Sequence, residues 1–248
     1  MECRSPFIVS NLETCDGRSP VTLMIQRENS VFCLSGTDAA NLYESSGPYP
    51  PASRPNTWGG ARNSASRQSD RISLEKAVKV VEAAQRAITI GRPFNRHLTV
   101  HWEKAGLTDA EAASATGRIL KLVSDWLRKH GGTSYTWVRE NGDGKGSHTH
   151  ILLHVPRGLS LSLTRRWYRL VTGCEARDAK GAVVTRRIGG TASCAFFGSD
   201  WYLANLAYVV GYVIKGVEAR DGIALGLERY GVGGTITGKR LSISGSLS

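Results

Sequence analysis

Residues 133–155 constrain the fold most. Asn141-Gly142-Asp143-Gly144 has the composition of a tight turn, and strand-like runs flank it, 133–140 before and about 147–155 after, the second stopped by Pro156. The segment predicts a β-hairpin, and the elements around it follow a definite order. Upstream, Leu74, Ala77, Val78, Val81 and Ala84 form one stripe of a helix from Ser73 to about Ile90, followed by a strand at about 96–102. Thr108-Asp109-Ala110-Glu111 is a capping box that opens a second helix. Its stripe runs Ala112, Ala115, Ile119, Leu122, Val123, Trp126, and Gly131-Gly132 ends it. Downstream come a helix at about 162–172 closed by Gly173, a strand at about 182–188 and a helix near 201–215. This β-α-β-β-α-β order plus a final helix predicts an α+β fold: a ferredoxin-like (split β-α-β) antiparallel sheet with flanking helices. Many unrelated activities share that fold, so function has to be read from particular side chains.

Charge is unevenly placed. The 248-residue chain carries a formal +11, yet residues 1–70 hold six Arg, no Lys and seven acids, a balance of −1, and the remainder carries +12. The basic part favours a polyanionic partner with salt-dependent affinity, or is simply a basic surface. Residues 45–70, rich in Ser, Pro, Gly, Arg and Asn, read as a linker closing an N-terminal extension, 1–70. Short apolar runs at Phe7 to Val9, Val21 to Ile25 and Val31 to Leu34 could pair as strands there. The five cysteines, Cys3, Cys15, Cys33, Cys174 and Cys194, are scattered and contain no C-x-x-C pair, which argues against a zinc knuckle or disulfide framework and for reduced thiols. No stretch is apolar enough to span a bilayer, and Met1-Glu2-Cys3-Arg4 does not open a signal segment, so no membrane partner is expected.

Two short motifs carry the chemistry. In Gly146-Ser147-His148-Thr149-His150-Ile151-Leu152-Leu153-His154, side chains alternate, so His148, His150, Leu152 and His154 face one way and Thr149, Ile151 and Leu153 the other. At the ordinary rise His148 and His150 lie about 7 Å apart along the strand, close enough to share an ion, whereas His154 lies about 13 Å beyond His150. The bland alternative is a pair of strand histidines on a wet face. In Tyr208-Val209-Val210-Gly211-Tyr212-Val213-Ile214-Lys215, helical spacing puts Tyr208, Tyr212 and Lys215 on one face. A phenol, with an ordinary pKa of about 10, is a poor nucleophile near neutrality, but a neighbouring cation favours the phenolate and a metal polarises a phosphate. Together these groups suggest cutting a phosphodiester by covalent attachment; the alternative is a helix whose tyrosines only pack on the sheet.

In their order these motifs resemble the HUH endonuclease superfamily, specifically the two-tyrosine class of rolling-circle replication initiators (Rep proteins). The family's His-apolar-His strand is matched by His148-Thr149-His150-Ile151-Leu152-Leu153, with threonine at the usual bulky apolar position. Its Tyr-x-x-x-Tyr-x-x-Lys helix is matched by Tyr208, Tyr212 and Lys215, and its upstream strand motif by Arg96-His97-Leu98-Thr99-Val100-His101-Trp102. The resemblance covers roughly residues 95–217 and implies an endonuclease domain over 71–218. It implies a metal-dependent, site-specific single-strand DNA endonuclease and strand transferase that forms a 5′-phosphotyrosine intermediate and frees a 3′-hydroxyl to start rolling-circle replication. Tyr212, nearer Lys215, is the first choice of nucleophile, and Tyr208 would cleave after one round. Mg2+ or Mn2+ is the implied cofactor. The family usually adds an acidic or polar third ligand; Glu140, at the end of the preceding strand, is the candidate, ahead of Asp143 in the turn.

The implied partners are single-stranded DNA at a replication origin or hairpin, a host helicase and a host polymerase, in the cytoplasm of a bacterial cell carrying a plasmid or phage. A transposase or a relaxase would keep the chemistry, although relaxases often place the tyrosine before the histidines. Rivals of another class are a non-catalytic ferredoxin-like nucleic-acid-binding module and a two-histidine, one-carboxylate oxidative enzyme. Arg165, Arg166 and Arg169 on one helix, and Arg186-Arg187 on the next strand, are candidate DNA contacts or a solvated basic face. Trp137, Trp167 and Trp201 could stack on bases, although at least two of them fit a core better. His97 and His101 share a strand face and could line the site, face DNA or be structural. Gly233-Gly234-Thr235-Ile236-Thr237-Gly238-Lys239 looks like a phosphate loop, but Arg240 follows in place of Ser or Thr, and 219–248 is read as a flexible tail with no fused helicase.

Overall fold

The hairpin forms where the turn chemistry puts it. β5 (Tyr135–Gly142) pairs antiparallel with β6 (Gly146–Leu153), and Gly144 and Gly146 take the positive φ that the connection needs. The computed structural model describes residues 67–175, 180–189 and 199–247 in full, and 24–27 and 30–33 as backbone. The remaining elements, in chain order, are β1 (Met24–Arg27), β2 (Ser30–Cys33), β3 (Gln68–Ser69), α1 (Leu74–Thr89), β4 (Arg96–His101), α2 (Asp109–Lys129), α3 (Thr164–Thr172), β7 (Val183–Arg187), α4 (Asp200–Val213), α5 (Ala219–Ala224), β8 (Ile236–Thr237) and β9 (Leu241–Ile243).

The main sheet runs β7-β4-β6-β5-β9, antiparallel throughout. Within it β4-α2-β5-β6-α3-β7 follows the β-α-β-β-α-β order, an α+β arrangement compatible with a ferredoxin-like fold. Strand alternation sorts the side chains into two cores. On one face Leu98, Val100, Trp137, Ile151 and Leu153 meet Ala112, Ala115, Ile119, Val123 and Leu127 of α2 and Trp167, Tyr168 and Val171 of α3. On the other, Val138, Leu152 and Leu241 meet Ala77, Val80, Val81 and Ala84 of α1 and Tyr202, Leu206 and Val210 of α4. Helices therefore cover both faces, which is why β6 is buried along nearly its whole length. At the head of α2 the capping box is complete: the Glu111 amide donates to Thr108 Oγ1, and the Thr108 amide donates to the Glu111 carboxylate at 2.8 Å.

Three expectations need correction. Residues 219–248 are not a flexible tail, because buried side chains fix them: Ile236, Leu241 and Leu247 are buried, β8 pairs with β3, and β9 lengthens the sheet beside β5. The buried Arg240 guanidinium binds Ser69, Gly233 and Gly234, tying that segment to the residues before α1. The domain thus also begins earlier than 71, at β3. Within that fixed segment the glycine run allows close approach: a Cβ on Gly234, whose φ is +71°, would fall 1.7 Å from the Asn141 carbonyl oxygen. Third, α4 ends at Val213 with Ile214 as its cap, so Lys215 stands just past the helix.

Of the N-terminal extension, β1 and β2 form an antiparallel pair overlapping two of the expected apolar runs. The run from Phe7 and the linker stretch up to residue 66 lie outside the described residues, as do Cys3, Cys15 and Cys194. Cys174 is a free thiol. No helix among the described residues is long and apolar enough to cross a membrane.

Candidate metal centre

Register decides which side chains meet. His148 on β6 lies opposite Glu140 on β5 and His101 on β4, and His150 lies opposite Val138 and Thr99. Paired residues share a face, so His148, His150, Glu140, His97, Thr99 and His101 all point to the side of the sheet that carries α4. His148 and His150 stand nearly perpendicular, ring centroids 4.9 Å apart, and the Glu140 Oε2 lies 3.3 Å from Nε2 of His148 and 3.9 Å from Nε2 of His150. One ligand atom from each of the three residues lies within 4.8 Å of the others, and all three residues are buried.

The donor set suits a divalent cation. His148 Nδ1 bonds the Gly146 carbonyl at 2.8 Å, which turns its Nε2 toward Glu140. His150 Nδ1 sits 3.0 Å from His97 Nε2 and 3.1 Å from Thr99 Oγ1, while His150 Nε2 is buried with no hydrogen-bond partner among the described residues. A buried polar atom without a partner is costly unless something binds it, and an ion between these groups is what the geometry accommodates. Burial, then the neighbouring His97, His148 and Lys215, holds His150 well below its usual pKa, so the ring is neutral and fit to ligate. Burial pushes the Glu140 carboxyl up, but the His148 hydrogen bond and the Lys215 charge outweigh it and leave the group below its ordinary value, hence ionised at neutral pH. Burial and nearby positive groups bring His97 and His101 each down to about 4.

The tyrosine motif converges on the same spot. The Tyr212 ring lies edge-on to His150 at 5.4 Å and to His97 at 6.2 Å between centroids. Lys215 contacts both carboxylate oxygens of Glu140, and its ammonium lies 4.3 Å from the Tyr212 ring centroid. The ammonium therefore sits over the face of the ring and is committed to Glu140, and the expectation that it favours the phenolate needs correction. Burial, followed by the charges of Glu140 and Tyr208, raises the Tyr212 phenol above its usual value. Tyr208, one turn earlier, is 48% exposed.

Tyr208 and Tyr212 line an open cleft of about 790 Å³ together with His97, His101, His148 and His150. Lys104, Lys145, Arg186 and Arg187 also line it. Arg186 and Arg187, expected as phosphate contacts, are thus at the site, and Arg186 is the register partner of His97. Arg165, Arg166 and Arg169 are not, because α3 packs on the opposite face of the sheet, and Arg169 is paired with Glu175 at 2.9 Å. Trp137 and Trp167 are buried and Trp201 is 64% exposed. His154 bonds the Pro93 carbonyl at 2.8 Å and Asp143 lies in the turn, so neither joins the cluster. Lys104 and Lys145 were missed because only the strand order reveals that their loops flank the cleft. Thr149, where the resemblance expects a bulky apolar residue, faces the other core, accepts a 2.8 Å bond from the Trp102 indole and lies 2.9 Å from Thr116 Oγ1. The hydroxyl is satisfied there, which makes threonine acceptable in a buried strand. The chain matches no protein-family model, no curated protein and no solved structure.

Proposed function

We propose that this chain is a metal-dependent endonuclease and strand transferase of the HUH kind, with a ferredoxin-like core, acting on single-stranded DNA to begin rolling-circle replication. One observation carries the reading. His148 and His150 of the buried Glu140-His148-His150 group, the latter with its Nε2 unpartnered among the described residues, line the same cleft as Tyr208 and Tyr212. A purely binding module would leave that buried nitrogen and the adjoining phenol without a purpose.

Glu140, His148 and His150 would hold a divalent cation, Mg2+ or Mn2+ by the family resemblance, which would polarise a phosphate oxygen. Arg186 and Arg187, with Lys104 and Lys145, supply positive charge to seat the DNA backbone. The Tyr212 oxygen attacks phosphorus and the 3′-oxygen leaves. The phenol loses its proton overall, the departing oxygen gains one, and a 5′-phosphotyrosine and a free 3′-hydroxyl result. Reversal of that step rejoins strands, and Tyr208, exposed on the same cleft, is positioned for a second transfer.

The test is an adduct. The purified chain is incubated with Mn2+ and labelled single-stranded oligonucleotides tiling the DNA around its gene. A labelled product that survives denaturing electrophoresis and disappears on protease treatment is expected, and EDTA abolishes it. No adduct with Mn2+ or Mg2+, or an adduct that persists in a Tyr208→Phe/Tyr212→Phe double variant, overturns the assignment.

A further inference from the structure

We infer that His97 is a positioning residue of the metal centre: its Nε2 accepts the proton that His150 carries on Nδ1 and so directs the free lone pair of His150 Nε2 to the cation. The inference rests on reading Glu140, His148 and His150 as a metal-binding group.

The argument is one of counting protons. His97 Nε2 and His150 Nδ1 face each other at 3.0 Å. Two lone pairs at that distance repel, and two N–H groups collide, so a single proton lies between the rings. If it belonged to His97 Nε2, His150 would carry its own proton on Nε2. Among the described residues that N–H would be buried without an acceptor, since the Glu140 carboxylate oxygen is 3.9 Å away. If it belongs to His150 Nδ1, Nε2 holds a lone pair aimed at the ligand cluster. Thr99 serves either arrangement: its Oγ1 lies 3.1 Å from His150 Nδ1 and 3.4 Å from His97 Nε2, so the hydroxyl can accept from one ring and donate to the other, and the choice rests on the buried Nε2.

β4 imposes this geometry. His97 and Thr99 stand two residues apart on one face, and Thr99 is the register partner of His150. His148 solves the same problem differently, through the Gly146 carbonyl at 2.8 Å. The two ligating imidazoles thus have separate orienting partners, one from the backbone of their own strand and one from the neighbouring strand. Metal-ligating histidines generally rely on such an outer partner to fix tautomer and ring orientation.

The experiment measures Mn2+ affinity of the full chain without DNA, by electron paramagnetic resonance of free Mn2+. Wild type must bind. His97→Phe keeps the ring and removes the acceptor, and weakens binding by roughly ten- to hundredfold. His97→Gln, whose amide oxygen can accept, recovers part of that loss. Melting curves in EDTA establish that the variants are folded. As an arm that needs no variant, 15N-histidine NMR of the metal-free wild type should find His150 protonated on Nδ1 and not on Nε2. Failure of wild type to bind Mn2+ sinks the metal centre and this inference with it. Binding in wild type that His97→Phe leaves unchanged, no difference between Phe and Gln, or an Nε2-protonated His150 sinks the inference alone.

Discussion

Glu140 has two claimants. Its oxygens are engaged by the Lys215 ammonium and also complete the cluster with His148 and His150. An incoming dication must share that carboxylate with a positive charge that touches it, and a dication about 4 Å from a unit charge is repelled by roughly 8 kcal/mol at an effective permittivity near 20. Lys215→Met therefore removes a competitor. Mn2+ affinity should rise by roughly tenfold, with part of the gain offset because the unpaired buried carboxylate takes up a proton that the cation must displace. The same variant should form the DNA adduct faster at subsaturating Mn2+, since more of the protein holds the cation. Titration calorimetry and single-turnover adduct formation give the two signs, and weaker metal binding in Lys215→Met contradicts the competition. Much of this cluster was legible: alternation put His148 and His150 on one face, and the hairpin put Glu140 across from them. The pairing of Lys215 with Glu140 was not, because the two lie 75 residues apart and Lys215 leaves the helix before reaching the carboxylate. The role of His97 was hidden for a related reason, since only the pairing of β4 with β6 shows which strand faces His150.

At the scale of elements, β7 and α3 were both expected to touch DNA, and the sheet separates them. Arg186 and Arg187 border the cleft, whereas Arg165, Arg166 and Arg169 rise from a helix on the far face. If cleavage and binding use one strand path, the two sets differ in their salt dependence. An Arg186→Ala/Arg187→Ala variant should weaken single-stranded DNA binding and flatten the slope of log affinity against log salt by about 0.7 for each phosphate no longer neutralised. An Arg165→Ala/Arg166→Ala/Arg169→Ala variant should leave that slope near wild type. Fluorescence anisotropy across a salt series measures both, and equal effects would mean that DNA wraps the whole sheet. Sequence could not make this distinction, because both arginine sets occur on short amphipathic elements and nothing local says which face an element covers. The tryptophans show the same limit: Trp137 and Trp167 belong to the core of α2 and α3, while Trp201 is exposed on the helix that presents the tyrosines.

For the molecule as a whole, the C-terminal segment closes the edge on which the centre depends. β5 carries Glu140, and its outer edge is covered by β9 through the pairs Thr136–Ile243, Trp137–Ser242 and Val138–Leu241. Near Glu140 the cover continues: the Arg139 amide donates to the Arg240 carbonyl at 2.7 Å, and the Asn141 amide donates to the Gly233 carbonyl at 3.0 Å. The buried Arg139 guanidinium adds bonds to Asp109, at 2.6 Å, and to the Thr237 carbonyl, at 2.7 Å, linking β5, α2 and β8. Glycine content and two- and three-residue strands gave this segment no hydrophobic period to read, so its composition suggested mobility while what holds it is tertiary packing. The consequence is measurable. Arg240→Met leaves the Ser69 and Gly234 oxygens short of a donor, while Gly233 keeps the Asn141 amide, and each buried orphan costs about 1–3 kcal/mol, so urea denaturation should show a loss of that order or more. Deleting 231–248 removes the cover from β5 altogether, exposes a strand edge prone to pairing with other chains, and loosens the strand that holds Glu140. That truncation should lower both the unfolding midpoint and Mn2+ affinity, with aggregation at higher concentration. A truncated chain that melts and binds Mn2+ like wild type would mean that the segment is an appendage and that β5 is held in place by β6 alone.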